Sequence, residues 1–187
     1  MSPKGSSAGP LKSTGRSQIG REQRLGKRAK SLNRLVGEFQ WDIAAISAHL
    51  EDIRRVWAKA LGVSGPQWMI LMAIGDLDPG TGVSVNDVSI KIQVRSTFVT
   101  METKMLEKAG LVSRVSSPHD RRVVLMSLTE KARKGIAFLS ARRRKVDDTI
   151  YADLKSDKLE DTMKMLSIVR RRIEKAALQI AIEQDTE

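Results

Sequence analysis

The chain of 187 residues contains no cysteine. Disulfides, thiolate nucleophiles and cysteine-based zinc sites are therefore excluded, and the composition fits a reducing compartment. Histidine is almost as scarce. His49 and His119 lie far apart in sequence and suggest no nucleophile–base pair. No glycine-rich phosphate loop is present, so neither an enzyme nor a cofactor is expected. Aromatics make up only 4% of the residues, within an apolar share of 41% dominated by Leu, Ile, Val, Ala and Met. That balance favours helices packed on helices over a sandwich or barrel. Long apolar runs are also missing. The longest uncharged stretch, Ala60–Gly75, is sixteen residues interrupted by Gly62, Gly65, Pro66 and Gln67, too short and too polar to span a bilayer. The N-terminus lacks the apolar core of a secretory signal. A cytoplasmic protein without a membrane partner is the expectation.

Positive charge is what the chain has in excess, with Lys+Arg 33 against Asp+Glu 22 and a formal charge of +11. Such an excess points to a polyanionic partner. Most of it is local, because residues 1–30 hold eight Lys or Arg and one Glu. Residues 1–20 are rich in Gly, Ser and Pro and are expected to be disordered. Arg21–Lys30 can extend the helix that follows.

From Leu32 onward, Leu35, Phe39, Ile43, Ile46, Leu50, Ile53, Trp57 and Leu61 recur at steps of three or four, one stripe of a long helix ending at Gly62. Ser64 then caps a second helix near Pro66–Asp76, apolar nearly all round and expected at the centre. The turn Asp76–Gly82 resembles a cation loop superficially. Its alternation of oxygen ligands stops after two aspartates, so no metal is expected. A short strand at Gly82–Val85 precedes a helix over Val85–Ile92, capped by Ser84 or Asn86. A brief turn leads to a second helix over Ser96–Ala109, ending at Gly110: a helix-turn-helix. The runs Leu111–Ser116 and Val123–Leu128 flank Ser117–Arg122 as a β-hairpin. Thr129 then caps a long helix. In the last helix Leu159, Met163, Leu166, Val169, Ile173, Ala176 and Ile180 form a seam suited to packing against the N-terminal helix and a second subunit.

On the helix Ser96–Ala109, at about 100° per residue, Phe98, Val99, Glu102, Thr103, Met105, Leu106 and Ala109 fall on one side. Thr97, Thr100, Met101, Lys104 and Lys108 fall on the other, with Ser96 opening the helix. Hydroxyls and ammonium groups suit base edges and phosphates, and Met101 suits a thymine methyl. The hairpin tip adds His119, Arg121 and Arg122, suited to a narrow minor groove or to phosphates. Asp120 is expected to hold an arginine by a paired hydrogen bond. Helix-turn-helix followed by a basic hairpin is a winged helix.

The stretch from Arg95 to Ala132 resembles the recognition helix, wing and following helix of the MarR family of bacterial regulators. The matching residues are Val99-Thr100, Leu106-Glu107-Lys108, Gly110-Leu111-Val112, Arg114, Pro118, Asp120-Arg121-Arg122 and Leu128-Thr129-Glu130-Lys131. Pro66-Gln67-Trp68 with Leu71 matches that family's second helix, and the likeness covers about residues 32 to 183. Ser117 departs from the pattern, standing where the wing often has an aspartate. The resemblance implies a mostly α fold with a small β-hairpin wing. It divides the chain into a basic arm (1–30), a helical dimerisation region (31–63 and 150–187) and a winged helix-turn-helix region (64–149). It implies a homodimer on double-stranded DNA, at a pseudo-palindromic operator, acting as a transcriptional repressor. Release by a small aromatic acid or related thioester is the family habit. The DNA contacts expected are Ser96, Thr97, Thr100, Met101, Lys104, His119, Asp120, Arg121 and Arg122. The ligand contacts expected are Trp68 and His49. The alternative is a ligand-independent or architectural DNA-binding protein, which would use the same DNA-facing residues.

Overall fold

A computed structural model describes residues 14–184, with side chains from Lys30 onward. In order the elements are α1 (Thr14–Leu61), α2 (Gly65–Leu77), β1 (Val83–Ser84), α3 (Val85–Ile92), α4 (Ser96–Lys108), β2 (Val112–Ser116), β3 (Val124–Leu128), α5 (Glu130–Tyr151) and α6 (Ser156–Gln184). The expected fold class is the observed one: mostly α, with a small sheet in the order β1-β3-β2.

Most boundaries fall within a residue of expectation, and the N-terminal one differs further. Disorder was expected through residue 20, whereas α1 begins at Thr14; residues 1–13 lie outside the described region. No proline follows Pro10 until Pro66, and Arg, Gln, Glu and Lys dominate the stretch between 16 and 30. A helix once nucleated further along can propagate through such residues.

Packing divides the chain into two compact units, with the boundary between Ser127 and Leu128. In the first, α2 packs against α1, α3 and α4, and α4 against β2. Ile70, Leu71, Ile74, Val88, Val99, Leu106 and Met126 are its largest fully buried apolar side chains. The burial of α2 follows from its composition, since it has no polar face to show water. Its start is a complete capping box. Ser64 Oγ accepts from Gln67 N at 3.3 Å, and Gln67 Oε1 accepts from Ser64 N at 3.0 Å. A Cβ on Gly65 would lie 2.8 Å from Glu51 Oε1, the far end of a flexible side chain on α1.

The turn after α2 is closed by Asp78, whose Oδ1 accepts from the amides of Gly80 and Gly82 at 2.8 and 2.7 Å. β1 then pairs antiparallel with β3, placing Val83 opposite Met126 and Ser84 opposite Leu125. Ser84 is also the N-cap of α3, accepting from Asp87 N at 3.1 Å.

In the second unit Thr129 Oγ1 caps α5 by accepting from Ala132 N at 3.2 Å. Ala132 and Leu139 are buried. On α6 the seam residues Leu159, Met163, Leu166, Ile173 and Ile180 are exposed. The stripe of α1 behaves similarly. Trp57 is buried, while Leu35, Ile43, Ile46 and Leu50 face solvent in the single chain. Among the described residues no helix is long and apolar enough to cross a membrane.

Candidate nucleic-acid interface

The site is built on α3, a three-residue turn and α4. The turn needs one residue in the left-handed region, and Gln93 takes it at φ 58°. A non-glycine residue there costs about 1–2 kcal/mol. Compensation comes from its own side chain, which donates to Ile90 O at 2.6 Å, and from Val94 N, which donates to Ser89 O at 3.1 Å. Inside the motif the hydroxyls of Ser89 and Ser96 lie 3.2 Å apart. Arg95 is the N-cap of α4 and makes no side-chain cap; its carbonyl accepts from Phe98 N at 3.0 Å, so the amides of Ser96 and Thr97 open the helix beside an exposed guanidinium. Amides so placed favour an anionic partner.

α4 buries Val99, Thr103 and Leu106. Thr103 remains a core residue because its hydroxyl donates to Val99 O at 2.7 Å within the helix. The outward side carries Thr97, Met101, Lys104 and Lys108, as expected. Thr100 is only half-exposed, and its hydroxyl donates to Ser96 O at 2.9 Å. Met105 was expected inward but is 52% exposed, close to Met101 at 53%. At about 100° per residue it sits 40° from Met101, on the border where a helical wheel cannot decide. The outward face is therefore broader and more apolar than expected.

Beyond the hydroxyl pair of Ser89 and Ser96 at its start, two polar contacts tie this helix to its surroundings. Gln67 Nε2 donates to Glu102 Oε2 at 3.0 Å, joining α2 to the middle of α4. Arg114 on β2 lies 3.5 Å from Glu107, with the arginine side chain only 12% exposed. At its end α4 closes in a Schellman motif: Leu111 N donates to Leu106 O and Gly110 N to Glu107 O, both at 2.9 Å. Gly110 supplies the φ of 72° that the motif requires, and the chain turns directly into the wing.

The wing tip holds His119, Asp120, Arg121 and Arg122, all exposed. Ser117 is buried there. Its amide donates to Val123 O at 2.8 Å and its hydroxyl accepts from His119 N at 3.3 Å. Ser117 therefore supplies an oxygen acceptor for the tip. Asp120 corrects an expectation. Its carboxylate accepts from the backbone N–H of Arg122 at 2.9 Å, not from an arginine guanidinium among the described residues. Both guanidiniums are thus left to face outward.

The two residues expected to meet a ligand are placed separately. Trp68 is 3% exposed within the core of the first unit, while His49 is solvent-exposed on α1. A cleft of about 330 Å³ lies elsewhere, between α1, α2 and the start of α4. Met69, Phe98 and Pro66 form its apolar wall, and the ion pair of Glu51 with Arg54 stands on the α1 side. Among the described residues no group of His, Asp and Glu is placed to hold a metal ion.

The chain is similar to known regulators in both sequence and fold. The MarR family model matches residues 61–123. An uncharacterized HTH-type transcriptional regulator of Bacillus subtilis, YdgJ, is 28% identical over 143 residues, covering 74% of this chain and 85% of that protein. The HTH-type transcriptional regulator PapX of Escherichia coli is 30% identical over 114 residues, covering 61% of this chain and 66% of PapX. The fold matches the S. aureus MepR–DNA complex with a TM-score of 0.60 at 16% identity, over 70% of this chain and 93% of that one. It also matches a MarR protein from Peptoclostridium difficile, with a TM-score of 0.60 at 17% identity over 74% and 89%.

Proposed function

Because the chain belongs to the MarR family of winged-helix transcriptional regulators, we propose that it is a sequence-specific repressor acting as a homodimer on a pseudo-palindromic operator. The observation that carries this reading is the outward face of α4, with Thr97, Met101, Lys104, Met105 and Lys108, continued by the exposed Arg121 and Arg122 of the wing. Lys104 suits guanine or phosphate, and the two methionines suit thymine methyls. The wing arginines suit the adjacent minor groove or its phosphates. Ser96 and Thr97 sit at the helix start, where unsatisfied amides favour phosphate. His119 and Asp120 complete the tip, Asp120 by shaping it.

Dimerisation is supported by the apolar stripes of α1 and α6, each exposed in a single chain. Contiguous apolar surface of this kind marks an association surface, and a second copy of the chain is the partner proposed.

The cleft beside α1 is the proposed effector site. Its volume is at the small end of ligand pockets and suits one aromatic ring. A ring carboxylate can take the place of Glu51 on Arg54 while the ring packs against Met69 and Phe98. Aromatic acids and their thioesters are the class proposed, and the protein acts in the cytoplasm. A gel shift on DNA upstream of the gene, repeated with benzoate- and cinnamate-type acids and their CoA esters, tests both parts. A competitor-resistant shift lost with one acid is expected. A shift indifferent to all of them favours the ligand-independent alternative, and the absence of any competitor-resistant shift removes the repressor reading.

A further inference from the structure

Gln67 does two jobs at once. It is 9% exposed, and a buried amide needs partners for both its oxygen and its nitrogen. The oxygen accepts from Ser64 N and closes the capping box of α2. The nitrogen donates to Glu102, thirty-five residues away, in the turn of α4 between exposed Met101 and buried Thr103. We propose that Gln67 is a positioning residue that sets the rotation of α4, and through it the DNA sequence the protein prefers.

The hydroxyl pair of Ser89 and Ser96 holds only the first residue of α4, and the remaining contacts do not define its rotation as sharply. Val99 and Leu106 are held by burial, which is non-directional. The hydroxyl of Thr103 is satisfied inside its own helix and links α4 to nothing else. A hydrogen bond to a carboxylate is both stronger and directional. It acts at the centre of the helix, while Arg114 restrains the end at Glu107. Rotation matters because side-chain tips stand roughly 5–6 Å from a helix axis. A turn of about 20° moves them by about 2 Å, well beyond the roughly 0.5 Å tolerance of a preorganised site.

Neighbours of this pair line the cleft. Pro66 precedes Gln67, and Phe98 lies one turn before Glu102; both line the cavity. Resting on the effector reading above, filling the cleft would strain this bond and turn α4 away from its DNA-competent angle.

The test is an exchange of partners. Gln67→Glu keeps an acceptor for Ser64 N but sets two carboxylates face to face. Glu102→Gln keeps an acceptor for Gln67. The double variant reverses donor and acceptor and has the same net charge as the original chain. Hydrogen exchange of the α4 amides in the free protein is read beside the melting temperature. Affinity is read on a duplex that the original chain selects from a random pool and on a scrambled duplex. For Q67E, α4 exchange should rise at least tenfold with little change in melting temperature. The selected-to-scrambled affinity ratio should fall about tenfold, and the double variant should restore both to within about threefold. Unchanged α4 exchange in Q67E, or a double variant no better than Q67E, overturns the proposal. If Q67E does not fold, Glu102→Ala, which leaves the capping box intact, is judged by the same α4 exchange and ratio. If α4 exchange responds as expected but no duplex is selected, the repressor reading fails while the positioning of α4 by Gln67 stands.

Discussion

Asp120 and Arg122 meet through the main chain: the carboxylate accepts from the Arg122 amide at 2.9 Å, which bends the wing tip and frees the guanidinium to point outward. An acidic residue in a basic finger thereby serves the finger's shape. Asp120→Ala should therefore weaken operator binding about three- to tenfold, even though it removes a negative charge facing DNA. Simple electrostatics predicts tighter binding. Titration of a fluorescent operator at fixed salt separates the two by sign, and Arg122→Ala should weaken binding at least as much.

On α4 the side chains are not equivalent. Lys104 is exposed and makes no ion pair among the described residues, whereas the Thr100 hydroxyl is already engaged with Ser96 O. Lys104→Ala should cost roughly 1–3 kcal/mol of operator affinity if it meets a base. Thr100→Ala should cost less. Equal losses in a footprint titration would mean that Thr100 turns outward on binding.

How much of this could be read from residues alone depended on how local the cause was. Thr129 was legible as a cap, and Ser84 as one of two candidates beside Asn86, because a cap needs only a short polar side chain at the right offset. The helix-turn-helix and wing followed from periodicity and from turn residues such as Gly110. Met105 was not legible, because its position on the helical wheel borders both faces. The pairing of Asp120 with an amide in place of a guanidinium is a property of the folded turn, not of residue type. Half of the role of Gln67 was available: serine followed three residues later by glutamine is a capping-box signature. Its bond to Glu102 joins residues thirty-five apart, and no short pattern announces such a contact.

Two glycines offer a stability comparison. Gly110 and Gly82 both have positive φ, at 72° and 90°, but a Cβ on Gly110 meets nothing within 4 Å while one on Gly82 lies 3.0 Å from Leu125 Cβ. Gly110→Ala should cost about 1–2 kcal/mol from backbone strain alone. Gly82→Ala should cost more, because β3 must also shift. Thermal melts of the two variants check the order.

The N-terminal basic segment should act through phosphate charge. Deleting residues 1–20 removes Lys4, Lys12 and Arg16. The logarithmic salt slope of DNA binding should become shallower by about 0.9 for each phosphate that these cations neutralise, with the selected sequence unchanged. An identical slope would show that they do not touch DNA.

Association is checked on α1. Ile46 and Leu50 are exposed by 59% and 39% in the single chain. Ile46→Glu with Leu50→Glu should shift the mass measured by light scattering from a dimer to a monomer, and operator affinity should fall with it. A dimer of unchanged stability would place the interface elsewhere.

Selection of duplexes from a random-sequence pool is the most direct measurement of DNA recognition by α4 and the wing. The expected product is a pseudo-palindromic consensus bound by the original chain, with enrichment lost in the Lys104→Ala, Arg122→Ala double variant. A pool that remains random after repeated rounds, or a consensus that the double variant enriches equally well, would contradict the assignment of this surface to sequence-specific DNA binding.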